Sequence, residues 1–273
     1  MCFKKIDIDD IKKIAIKAGK EVLKIYNTNF HIEYKKDKSP LTNADLKANE
    51  IICSELKKIY PNIPLMSEEN KQIPYDTRKN WECYFCIDPV DGTKEFIKKS
   101  GEFTVNIALI CKNIPVLGVV FAPILGELYY AKKDENAFKE VLNTKDEVLS
   151  KEKLPIVDRS KMENSITIVT SKPPLPQKTE ELVKNIRSHS KTSKIVSKGS
   201  SLKLCMVATG EADISPKIGD TMEWDTAAAD AILRESGKRI YQYHPKFNIQ
   251  NPKLEKTLLY NKQNLLNPSF IVK

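Results

Sequence analysis

The chain has 273 residues, 41% of them hydrophobic and 30% charged, and its 45 Lys and Arg against 36 Asp and Glu give a net charge of +9. Those figures exclude a chain too polar to build a core and fit a soluble globular protein, as one large domain or two subdomains. The positive excess attracts polyanions, but the lysines are scattered and no aromatic-studded basic block marks an RNA-binding surface, so a nucleic-acid polymer is not an expected partner.

The first ten residues hold no apolar core of signal-peptide length. Ile11, Ile14, Ala15, Ala18, Val22, Ile25 and Tyr26 then share one face of an amphipathic helix. A second helix is predicted within "SPLTNADLKANEIICSELKKIYP", with Thr42 as N-cap, Asp45 at the third helical position and Pro61 after the end. Two short strands follow, "NIPLM" and "WECYFCI", and each runs into acid: Glu68 and Glu69 after the first, Asp88 and Asp91 after the second.

Residues 104–130 read as antiparallel strands with turns at Lys112-Asn113 and around Leu125-Gly126. Asn106, Lys112, Asn113 and Pro115 interrupt this most apolar region, so it is not a membrane span. The charged segment 143–164 lacks clear periodicity and is the candidate boundary between subdomains 1–155 and 156–273. Beyond it come a strand ("SITIVTS"), a Pro-rich loop, a helix ("KTEELVKNIRSH"), a Ser-capped helix ("GSSLKLCMVATG"), a strand ("EADIS") and a last helix ("WDTAAADAILRESG"). Blocks of helices and antiparallel strands imply an α+β class in layers.

The six cysteines lie mostly in apolar stretches, which predicts buried reduced thiols and a reducing, cytoplasmic compartment. Cys83-x-x-Cys86 has no second pair to complete a zinc site, and packing is its expected role.

The stretch "FCIDPVDGTKEF" carries the chemistry. Pro89 has no N–H, so the ladder is expected to stop after Asp88. A tight turn over Pro89-Val90 would then bring Asp91 back towards Asp88 and expose the Val90 carbonyl between them. Such an all-oxygen set suits Mg²⁺. Gly92 permits a sharp turn, and Thr93 to Phe96 could open a helix whose free N–H groups bind phosphate. Glu68 and Asp225 fit the same site, although "SEEN" could also cap a helix and Asp225 is a good N-cap residue. Metal-assisted hydrolysis of a phosphate ester is the reaction these groups favour. A haloacid-dehalogenase-type phosphatase needs D-x-D near the N-terminus, and the D-x-x-D here does not supply it.

"SEE", "DPVDGTKEF", "GEFTVNIALI", "GSSLK" and "WDTAAADAI", in that order, resemble the inositol-monophosphatase superfamily over essentially the whole chain. Lys94-Glu95-Phe96 after "DGT" resembles its bacterial CysQ branch of 3′(2′),5′-bisphosphate nucleotidases rather than the inositol monophosphatases, which tend to carry Thr-Asn-Phe there. The resemblance implies a layered α/β/α/β/α sugar-phosphatase fold and two or three Mg²⁺ ions. Their ligands would be Glu68, Asp88, the Val90 carbonyl, Asp91 and Asp225. Thr93 and Asp45 match the pair that positions and deprotonates the attacking water, with Glu68 beside them; capping by Asp45 is an alternative that can coexist. Gly92, Ser200, Lys203 and Lys217 match substrate-contacting positions, Ser200 and Lys203 on one helix face.

Adenosine 3′,5′-bisphosphate is the implied substrate, with Li⁺ inhibition, a monomeric or homodimeric state and a cytoplasmic location, including the inner face of the cell membrane. Lys217 stands where relatives usually have arginine, and Ala229-Asp230 where CysQ proteins typically read Gly-His; both bear on the nucleotide contacts. The alternatives are an inositol or other sugar monophosphatase of the same superfamily and a basic nucleic-acid-binding protein whose acids are structural.

Overall fold

A computed structural model describes residues 2–35, 39–158, 165–244, 246–247 and 255–273. Lys36 and the 159–164 end of the expected boundary segment lie outside the described residues. After a short 3-10 turn, helix α1 (Ile8–Tyr26) starts at Asp7, whose side chain accepts the Asp9 N–H. Strands β1 (Ile32–Tyr34) and β2 (Pro40–Thr42) pair as a small ribbon that leads into α2 (Asn43–Ile59). Next come β3 (Leu65–Ser67), the single turn α3 (Tyr75–Arg78), β4 (Cys83–Asp91) and the short α4 (Thr93–Ile97).

Strands β5 (Thr104–Cys111), β6 (Ile114–Ala122), β7 (Glu127–Lys132), β8 (Ala137–Leu142) and β9 (Val148–Lys153) complete one sheet in the order β3-β4-β5-β6-β7-β8-β9. All its pairings are antiparallel, as expected for residues 104–130, except β3 with β4, which run parallel. Strand β9 occupies part of the charged segment. It is an exposed edge strand along its whole length, so it carries no apolar alternation to reveal it.

The second half contributes β10 (Ser165–Thr170), α5 (Gln177–Ser188), β11 (Thr192–Ser197), α6 (Leu202–Thr209), β12 (Ser215–Lys217), α7 (Glu223–Glu235), β13 (Ile240–Gln242) and β14 (Phe270–Val272). Strands β10 and β11 pair in parallel, β12-β14-β13 form an antiparallel group, and a bridge between Ile168 and Ile214 joins the two groups.

Side-chain alternation sets the layers. Along β4, Phe85 and Ile87 pack with Ile11, Ile14 and Ile52 of α1 and α2, whereas Tyr84 and Cys86 pack with α6 and α7 through Cys205, Trp224 and Ala228. On the far side of α6 and α7 lie Val169, Phe270 and Val272 of the second set of strands. Leu182, Val183 and Ile186 of α5 cover its outer face against Ile168, Ile214 and Ile271. The result is the expected α/β/α/β/α sandwich. No helix among the described residues is long and apolar enough to cross a membrane.

The cysteines depart from the expectation of thiols throughout. Cys83 and Cys111 face each other across β4 and β5 with Cα atoms 4.2 Å apart, and they are joined as a disulfide. Cys86 and Cys205 are buried free thiols and Cys53 is half-buried. An odd separation along one strand puts Cys83 and Cys86 on opposite faces, so this pair cannot chelate a metal.

Candidate metal centre and active site

Strand β4 does not stop at Pro89, and no tight turn follows it. Asp88 pairs with Asn106 and Asp91 with Thr104, so three steps along β4 match two along β5. The extra residue is a β-bulge. It keeps Asp88 and Asp91 close enough at the C-terminal end of β4 for Asp91 to raise the Asp88 carboxyl, while the Val90 carbonyl accepts the Thr93 hydroxyl. Asp88 Oδ1 accepts the Val90 N–H at 3.1 Å, which closes the bulge.

Parallel pairing of β3 with β4 brings in Glu68, whose N–H bonds to Ile87 O at 3.1 Å. Asp225 arrives from the start of α7. It sits at the third helical position and not at the N-cap, with Oδ2 accepting the Met222 N–H at 2.9 Å. No helix follows Glu68 and Glu69 to be capped. One carboxylate oxygen each from Glu68, Asp88 and Asp225 lies within 4.8 Å of the others.

The electrostatics of this cluster fit a cation. Burial, with Glu68, Asp91, Asp225 and Asp45 around it, pushes the Asp88 carboxyl well above the usual range. Burial and the neighbouring Asp91 push Asp225 up to about 8. Glu69, half-buried, rises to about 7 while sharing Lys35 with Glu68; the Lys35 ammonium lies 2.7 Å from a carboxylate oxygen of each. A set of hard carboxylate oxygens that resist ionising together is stabilised by a multivalent cation, and its all-oxygen donors suit a hard divalent metal ion.

Asp91 is held differently. Its Oδ2 accepts bonds of 2.6 Å from Ser200 Oγ, Ser201 N and Ser201 Oγ, and a longer one of 3.4 Å from Asn106 Nδ2. Ser201 and Asn106 were not singled out from the sequence. The only available signal was the second serine of "GSS", which reads as an ordinary helix cap. In the structure Ser201 does precede α6, but its hydroxyl bonds to Asp91 and makes no capping bond.

The start of α2 supplies the remaining pair. Thr42 and Asp45 form a capping box, with Asp45 Oδ2 accepting the Thr42 N–H at 2.8 Å and the Thr42 hydroxyl at 2.5 Å. The other oxygen, Oδ1, lies 3.2 Å from Thr93 Oγ1, as does the Val90 carbonyl. Capping and contact with Thr93 therefore coexist, one on each oxygen. Asp45 is 2% exposed, and burial raises its carboxyl above the usual value despite the bonds from Thr42. Gly92, at φ +92°, makes the left-handed turn that starts α4 and places Thr93 here.

Beside the carboxylates opens a cavity of about 540 Å³, lined by Asp91, Gly92, Ser200 and Asp225 and by five lysines, Lys94, Lys98, Lys172, Lys203 and Lys217. Ser200 is not on a helix face with Lys203. It precedes α6 with φ +55°, and both reach the cavity because Lys203 Nζ folds back to bond Ser200 O at 2.7 Å. Lys203 is not a solvated helix lysine; burial pulls its pKa down. Asp230 is fully buried and outside the cavity lining. Its carboxylate takes two bonds from Arg234, of 3.0 and 3.1 Å, and one of 3.0 Å from the Tyr260 hydroxyl. Ala229 packs in the core. The acid at position 230 is thus satisfied away from any bound polyanion.

The 3′(2′),5′-bisphosphate nucleotidase CysQ of Buchnera aphidicola is 40% identical over 235 residues, covering 85% of this chain and 83% of the relative. That of Salmonella typhimurium is 36% identical over 97% of this chain and 98% of its own length. Among solved structures, CysQ from Bacteroides thetaiotaomicron superposes with a TM-score of 0.82 at 38% identity, covering 97% of this chain and 96% of that one. The IMPase of Thermotoga maritima shares the fold at 21% identity and a TM-score of 0.71. Residues 6–270 match the profile of the inositol monophosphatase family, and the chain belongs to that family.

Proposed function

We propose that the protein is a Mg²⁺-dependent 3′(2′),5′-bisphosphate nucleotidase that converts adenosine 3′,5′-bisphosphate to AMP and phosphate. The observation that carries this reading is the convergence of Glu68, Asp88 and Asp225, the last of which also lines a cavity with Asp91 and five lysines. A cluster that recruits cations adjoins a pocket where five lysines stand among Asp91, Glu95, Asp220 and Asp225, and together they suit a small phosphate ester bearing more than one phosphate. The CysQ relatives bear the name of this activity.

In this reading Glu68, Asp88, the Val90 carbonyl, Asp91 and Asp225 hold two or three Mg²⁺. When bound, the ions supply an acidified water and neutralise charge on the phosphoryl oxygens. The chain's own contribution is positional. Thr93 Oγ1, between Asp45 Oδ1 and the Val90 carbonyl, orients the attacking water and passes its proton to Asp45. Glu68, the other carboxylate beside Asp45, shares in orienting that water. Gly92, Ser200, Lys203 and Lys217 face the substrate from the cavity wall. Lys217 offers a point charge rather than a planar fork, so it contributes attraction without bidentate geometry.

The test is phosphate release from adenosine 3′,5′-bisphosphate and from inositol 1-phosphate, with Mg²⁺ and with or without Li⁺. The expected result is Mg²⁺-dependent turnover that favours the nucleotide and is inhibited by Li⁺. A strong preference for inositol phosphate would move the reading to a sugar monophosphatase, and salt-sensitive DNA or RNA binding without turnover would remove it altogether.

A further inference from the structure

Glu102 lies in the stretch between α4 and β5, and its carboxylate gathers two loops from the second half of the chain. Oε2 accepts the Gly199 N–H at 3.0 Å and lies 2.9 Å from Lys172 Nζ, while Oε1 is 3.5 Å from Lys198 Nζ. Lys172 follows β10; Lys198 and Gly199 join β11 to α6. The backbones are pressed together as well. A Cβ on Gly199 would fall 2.8 Å from the Glu102 carbonyl oxygen and 2.7 Å from Glu95 Cγ. A glycine is what lets this loop lie so close.

The next two residues of that loop act on Asp91. Ser200 is held in the left-handed region at φ +55°, a conformation unfavourable for a non-glycine residue that persists only when its surroundings enforce it. In that conformation its hydroxyl reaches Asp91 Oδ2 and also lies 2.7 Å from Thr104 Oγ1. Ser201 adds its N–H and hydroxyl to the same oxygen. All three short bonds to Asp91 therefore come from a loop whose preceding residue is tied to Glu102.

We infer that Glu102 is a positioning residue for Asp91. By holding the 198–199 backbone and Lys172, it fixes the three donors that orient the Asp91 carboxylate, and so sets the affinity of the metal centre from outside it. The inference rests on the reading of Asp91 as a Mg²⁺ ligand.

The experiment is calorimetric titration of Mg²⁺ into the wild-type protein and the Glu102→Ala and Glu102→Gln variants, alongside thermal melting and the Mg²⁺ dependence of phosphate release. Groups that orient a metal ligand typically change metal affinity by 10–100-fold, so Glu102→Ala is expected to bind Mg²⁺ about 10-fold more weakly. Glu102→Gln keeps an acceptor for the Gly199 N–H but loses the charge facing the lysines, and should fall between. It also serves as the readout should the alanine variant not fold. A residue that merely braces the fold would lower the melting temperature and leave Mg²⁺ affinity unmoved; that result in a folded variant overturns the inference. A wild-type protein that binds no Mg²⁺ overturns the metal reading itself, which keeps the two failures apart.

Discussion

Asp45→Asn separates the two tasks carried by one buried carboxylate. Oδ2 takes both bonds from Thr42, and Oδ1 faces Thr93. An asparagine has one acceptor and one donor end. Turning its NH₂ towards Thr42 would set it against the Thr42 N–H and leave that donor unpaired, at about 1–3 kcal/mol. The amide therefore keeps its oxygen on Thr42 and presents NH₂ to Thr93. The cap survives, and losing a charged acceptor costs about 1 kcal/mol, partly offset because a buried amide pays no ionisation penalty. Proton transfer does not survive, since the amide cannot accept a proton, and turnover should fall by about 10²–10⁴, equivalent to about 3–5 kcal/mol. The assays are phosphate release at saturating Mg²⁺ and substrate, and urea unfolding. The pH profile adds a sign. Asp45 must be ionised to act as a base, and burial raises its carboxyl above 3.8, so activity should be lost as pH falls through a value above 3.8. The variant should lack that dependence. An Asp45→Asn protein of unchanged stability that turns over within about tenfold of wild type would leave Asp45 as a helix cap and refute the reasoning.

Three further outcomes are expected. Asp91→Asn should abolish turnover yet fold, as seen by circular dichroism, because an amide oxygen can still accept from Ser200 and Ser201. Asp230→Ala strips Arg234 and the Tyr260 hydroxyl of a buried partner and should lower stability by about 3–5 kcal/mol in urea, with kcat of the folded fraction close to wild type. In metal-free protein, Asp88 and Asp225 have folded-state pKa values above their unfolded ones. The Asp225 contribution is therefore fully present below about 4 and lost as pH rises towards about 8, and the raised Asp88 acts in the same direction, so the melting temperature should fall across that window. Mg²⁺ should reverse the fall; a metal-free melting temperature that rises over the same range would contradict the cluster's electrostatics.

What the sequence made legible follows the range of each interaction. The capping box at Thr42 and Asp45 spans three residues and was readable as such, and so were the apolar alternation of β5 to β7 and the face of α1. The site's acids could be picked out because each stands where a strand ends or a helix begins. Their mode of convergence could not, since it depends on register. Pro89 signals a broken ladder, yet pairing with Asn106 and Thr104 across β5 absorbs it as a bulge. Nothing local distinguishes Asp225 at the third position of α7 from an N-cap. The disulfide was hidden for the same reason: 28 residues separate Cys83 from Cys111, and only the antiparallel register sets them opposite each other.

Asp91 shows why this matters for the chemistry. Its charge belongs to the first half of the chain, but three of its bonds come from Ser200 and Ser201, more than 100 residues later. Asp225, from the start of α7, faces the same centre as Glu68 and Asp88. The candidate metal centre thus needs the second half packed on the sheet of the first. Substitutions at that seam, far from any reacting atom, should reach activity through metal affinity before they reach it through global unfolding, because the carboxylates are like charges held together by contacts from both sides.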